Sequence, residues 1–184
     1  MTSTIMTSTL VKSNSEQMEL IDIISKNVFA QVMSYDLSLI RERFLKDHPE
    51  LYSRLDSIEL LYRQYMYLCA IKPKMSLSVP SNEVDKFWHC HIIHTQAYQK
   101  FCNDIAGYFI HHAPHSLLAN EEKKVARRNL LSLFMIHFKD STNVEFLKCG
   151  LNFSVDLFGD CQDCHNCVTC RGGEEHHAEN SRLF

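Results

Sequence analysis

Proline and glycine interrupt this chain at few places, and between them apolar residues recur at spacings of three and four. That spacing is the signature of helices that bury one face. Five glycines and four prolines in 184 residues are too few turn formers for a β-sandwich with many hairpins. The expected fold class is all-α, a compact multi-helix bundle. One domain is the default at this length, and the chain is long enough to bury a substantial core.

The punctuation predicts the elements. Glu16 to Ser34 carries Met18, Leu20, Ile21, Ile24, Val28 and Val32 as an amphipathic stripe. Asp36 is expected to cap a second helix with Leu37, Ile40, Phe44 and Leu45 on its inner face, ended by His48-Pro49. A third helix over Leu55–Ile71 buries Ile58, Leu61, Tyr62, Tyr65, Leu68 and Cys69, and Lys72-Pro73 stops it. Met75 to Val79 is extended or irregular. Ser81 caps a fourth helix that runs to about Ile105, before Gly107. Asn120 caps a fifth, lined by Val125, Leu130, Phe134 and Phe138, with Glu121 and Glu122 near its positive end. A small helix follows Asn143. Residues 1–15 read as a flexible leader, 16–158 as a helical domain, and 159–184 as a cysteine-rich metal-binding tail.

The chemistry concentrates on the fourth helix. Six of the eleven histidines fall between His89 and His115, beside the single tryptophan, Trp88. Neutral imidazole is the commonest protein metal ligand and the side chain best suited to proton transfer near neutral pH. With about 100° per residue, Val84, Trp88, His91, Thr95, Tyr98 and Cys102 share one inward stripe within about 40°. Asp85 and His89 lie one turn apart on an adjoining face, where two side chains can meet. His89 and His91 are about 200° apart and cannot simply share one ion on a straight helix. The loop histidines His111 and His112 are therefore needed to complete a site. Asp85, His89 and His112 are the first candidate ligands, His91 and His111 come next as ligands or proton carriers, and His91 reads equally well as a hydrogen-bonded core residue. His94 and His115 are accessory or exposed.

This pattern resembles the glycine-rich domain-containing protein-like family. The residues that carry the resemblance are Pro80, Ser81, Val84, Asp85, Trp88, His89, His91, Ile92, Thr95 and Tyr98, then Gly107, His111, His112 and Pro114. The resemblance implies a helical fold around the motif. It also implies stress-related roles and RNA binding of the kind linked to larger plant members. This chain has no long glycine-rich segment, and it carries His94 where relatives are often acidic.

Cys161, Cys164, Cys167 and Cys170 recur every third residue near the C-terminus. Four thiolates suit Zn²⁺, Cu(I) or an iron–sulfur cluster. Cys69, Cys90, Cys102 and Cys149 read as half-buried thiols, with Cys90 notable for its place between two histidines. No apolar run approaches the roughly 20 residues that cross a bilayer. The first residues lack the basic and apolar regions of a secretory signal, so a cytoplasmic protein with reduced thiols is expected. A formal charge of −3 argues against RNA as a partner, and Lys123, Lys124, Arg127 and Arg128 read as a solvated face.

Two functions follow. The first is a metal-binding helical protein, extending to a metal-dependent enzyme that holds Zn²⁺ or Fe²⁺ in the His/Asp site while the tail binds or delivers metal. The second is a non-catalytic module that recruits protein or RNA, with structural histidines and a zinc-binding tail. No P-loop, G-x-S-x-G or H-E-x-x-H motif is present.

Overall fold

The computed structural model describes residues 14–112 and 119–138. Among them the chain forms α1 (Asn14–Ser34), α2 (Ser38–Asp47), a 3-10 helix (Pro49–Arg54), α3 (Leu55–Ile71), α4 (Asn82–Ile93), α5 (Thr95–Ala106) and α6 (Asn120–Phe138), with no strand. The all-α expectation holds. The proposed leader, the small helix after Asn143 and the cysteine-rich tail lie outside the described residues.

α3 is the axis of the bundle. Gln64, Tyr65, Met66, Tyr67 and Leu68 are consecutive and all buried. A helix is apolar and buried around its whole girth only when neighbours cover it on every side. α1, α4 and α5 all pack on it. The innermost layer is aromatic, with Phe44, Tyr62, Phe87 and Phe101 fully buried. Phe87 packs against Phe44 and Tyr62 at ring-centroid distances of 5.3 and 5.1 Å. Each such side chain contributes about 1.5–3 kcal/mol by leaving water.

A polar clamp fastens the first three helices. Glu59 on α3 is 8% exposed and is held by Arg63 at 2.6 and 2.9 Å and by Arg41 of α2. Arg41 also pairs with Asp56 at 2.7 Å. The remaining Arg63 donors take the carbonyls of Val32 and Tyr35 at 2.5 and 2.7 Å. Those carbonyls lie at the end of α1, where the last helical acceptors have no partner in the helix itself. One guanidinium thus satisfies a buried carboxylate and a helix terminus together.

Six sequence expectations need correction. The long fourth helix is two helices, because His94 adopts φ −85° and ψ 63° between α4 and α5. Its Nδ1 lies 2.7 Å from the carbonyl of Cys90, so the side chain satisfies an acceptor that the broken ladder leaves open. Thr95, beyond that turn, is exposed instead of lying on the inward stripe. On α1, Val32 is buried and Val28 partly so, while Met18, Ile21 and Ile24 are exposed among the described residues. On α6, Ala126 takes the inward position and Val125 is 41% exposed. α6 starts at Asn120, and Glu122 reaches back to the amide of Ala119 at 2.8 Å. For α2 the capping position falls to Leu37, with Asp36 accepting from the amide of Ser38 at 3.0 Å.

Met75 to Val79 is irregular, as expected, and is tied to α6 by bonds from Ser78 N to Ala126 O and from Asn129 to Ser76 O. α5 ends at Gly107, whose φ of 73° lies in the left-handed region. A Cβ added there meets nothing within 4 Å, so only backbone strain opposes it. Gly107→Ala should therefore cost about 1 kcal/mol, read from the urea midpoint, without repacking the core.

Candidate metal centre

Ser81 starts α4 by accepting the amide of Val84 at 3.3 Å. This fixes the phase of the helix. Val84, Trp88 and His91 turn into the core, each 2% exposed or less. Asp85 and His89 then fall on the adjoining face, as the helical period requires. Asp85 lies in the first turn, where the helix dipole favours a negative charge.

His112, after α5, meets this face. Its Nε2 is 2.7 Å from Asp85 Oδ1, and His89 Nε2 is 3.8 Å from Asp85 Oδ2. The candidate ligand atoms of Asp85, His89 and His112 all lie within 4.8 Å of one another. Their side chains are 12%, 14% and 6% exposed, so the group is largely shielded yet reachable. Two imidazoles and one carboxylate from two separate segments form a donor set that suits Zn²⁺ or a first-row ion such as Fe²⁺. His112 Nδ1 is buried, and no described residue supplies it with a hydrogen-bond partner.

The position of His112 is set by the inward stripe of α4 and α5. Trp88 Nε1 donates to the hydroxyl of Tyr98 at 2.9 Å, and that hydroxyl donates to the carbonyl of Ile110 at 2.5 Å. Burial pushes the Tyr98 hydroxyl far above its ordinary pKa and keeps it a donor. Trp88 also packs against the His112 ring at a centroid distance of 4.4 Å. Tyr98, buried in the core, holds the backbone that delivers the third member of the group. The sequence does not signal this role: the bond to Ile110 depends on where the chain returns after Gly107.

The other candidates go elsewhere. His91 is 1% exposed, its Nδ1 is 2.7 Å from the Tyr62 hydroxyl, and its ring packs on Tyr98 and Phe101. It points away from the Asp85 group, as the 200° offset anticipates, and occupies the core. His111 is exposed and lies against Phe109 at 4.9 Å. His94 turns to the Cys90 carbonyl. Cys90 and Cys102 are buried outright and not half-buried, and Cys69 is intermediate. Burial pushes the Cys90 and Cys69 thiols up to about 11 and about 12, which holds them as inert thiols. His115, Cys149, Cys161, Cys164, Cys167 and Cys170 lie outside the described residues.

Burial lowers the pKa of His91 to about 3. The unfolded chain takes up a proton at this position below about pH 6.5, and the folded chain does not until far lower. The stability this group contributes is whole above that value and is lost as the pH falls toward 3. The loss amounts to about 2 kcal/mol by pH 5. His91→Gln keeps an acceptor for Tyr62 but does not titrate. Its urea midpoint, measured across pH with chelator present, should therefore fall less steeply than that of the parent.

Comparison with known proteins assigns the family differently from the motif. The chain matches the family described as UCP032817-like over residues 26–141, a span that takes in α2 to α6 and the Asp85–His89–His112 group. No curated protein and no solved structure matches it. The resemblance to glycine-rich domain-containing proteins is overturned by this match. The residues that carried it have packing work to do: Ser81 caps α4, while Val84, Trp88, His91 and Tyr98 fill the core. The chain belongs to the UCP032817-like family.

Proposed function

We propose that Asp85, His89 and His112 together hold one divalent first-row transition ion, and that the protein is a metal-binding helical protein built around this group. The observation that carries the reading is the convergence of three ligand atoms within 4.8 Å from α4 and from the segment after α5. Asp85 faces both imidazoles, with Oδ1 at 2.7 Å from His112 Nε2 and Oδ2 at 3.8 Å from His89 Nε2. An ion held by all three would take the place of the His112 contact, since a ring nitrogen that binds metal carries no proton. Three protein ligands leave coordination positions for water or substrate. With Zn²⁺ such a site activates water, and with Fe²⁺ it supports oxidative chemistry. Enzymatic use of those positions is part of this proposal. So is a second, thiolate site at Cys161, Cys164, Cys167 and Cys170 that binds or delivers metal.

Full-length protein in which those four cysteines are replaced by serine separates the two sites. After loading with Zn²⁺, or with Fe²⁺ under anaerobic conditions, it should retain about one equivalent through dialysis. Asp85→Ala or His112→Ala in the same background should weaken binding by at least about 100-fold, because second-sphere changes alone cost 10- to 100-fold. Retention should also fall in acid, since only the neutral ring binds metal. A serine variant that keeps no stoichiometric metal would sink the reading. The metal difference between parent and serine variant measures the tail, and its absorption spectrum separates an iron–sulfur cluster from colourless Zn²⁺ or Cu(I).

A further inference from the structure

A cavity of about 370 Å³ lies on the other side of the aromatic wall that backs the Asp85 group. Its floor is made by Tyr65 and Trp88, which are 3% and 2% exposed, with Cys69 beside them. Its mouth is marked by Phe109, 43% exposed, and by the exposed Lys72 and His111. The volume falls within the range of small-molecule sites. It admits about a dozen non-hydrogen atoms, taking the ~30 Å³ of a liquid water molecule as the unit.

The lining selects the ligand. Tyr65 and Trp88 sit edge to face at 5.4 Å, and with Phe109 they offer aromatic surface to a flat apolar body. Among the described residues Lys72 is the one permanently charged residue of the lining, and no carboxylate lines the cavity. An apolar floor beneath a cationic mouth matches an amphiphile of one polarity. We propose that this cavity binds a small aromatic carboxylate, with the ring against Trp88 and Tyr65 and the carboxylate at the Lys72 side of the mouth. The site is separate from the Asp85 group and does not require that group to hold metal.

Trp88 is the only tryptophan of the chain, so its emission comes from the wall between this cavity and His112, and chelator keeps the His112 side constant through the titration. 3-Phenylpropanoate is an apt probe, because it fits the volume and does not absorb where indole is excited at its red edge. Titrated into the full-length protein with chelator present, it should change Trp88 emission saturably with a single affinity. The uncharged 3-phenylpropanamide should bind about fivefold more weakly, as should the acid to Lys72→Met, the value of one solvent-facing charge pair. Lys72 is exposed, so that variant keeps the core intact. No saturable change up to roughly 10 mM acid, a limit weaker than −3 kcal/mol, overturns the site. Equal affinities for acid and amide overturn its proposed ligand class. Because chelator is present throughout, neither result bears on the metal reading.

Discussion

The buried hydrogen bond between Tyr62 and His91 joins the central helix to the helix that carries the chemistry. Both side chains are 1% exposed or less, so each would be left in apolar surroundings without the other. A buried polar group that loses its partner costs about 1–3 kcal/mol, more than a typical contact contributes. That penalty fixes the roll of α4 on α3. Once His91 faces inward, the helical period leaves Asp85 and His89 no choice of face. The histidine that joins no candidate site determines where the candidate site forms.

The same logic operates at the other side of α3. Glu59 carries a charge into the core, and such burial is tolerated only with close partners. Arg63 and Arg41 supply them while tying α1 and α2 to the same turn of α3. Removing Glu59 alone would strand Arg63, which is itself only 11% exposed at its side chain. The polar groups of this bundle therefore set the orientation of its helices, and the aromatic layer supplies the bulk of the burial.

Much of this was legible in residue order. Pro49, Pro73 and Gly107 mark real boundaries, because they act through the backbone and need no partner. The two faces of α4 were legible for the same reason, since helical phase is a local property. The break at His94 was not, because no proline or glycine stands there and the turn rests on one side-chain bond to Cys90. The exposed start of α1 and the outward Val125 show that periodicity gives a face but not a neighbour. The choice between His111 and His112 as the partner of Asp85 depends on how the chain returns after α5. Nothing in the spacing of two adjacent histidines decides which one turns inward.

The bonds from Trp88 to Tyr98 and from Tyr98 to Ile110 link the parts of the group into one unit. The helix that carries Asp85 and His89 also steers, through its adjoining inward face, the stretch of backbone that brings His112. An insertion of one residue early in α4 would rotate both faces together. It would carry off two candidate ligands and, in the same motion, withdraw the anchor of the third. The three side chains are thus mechanically coupled, and evolution could not trade them away one at a time by sliding this helix.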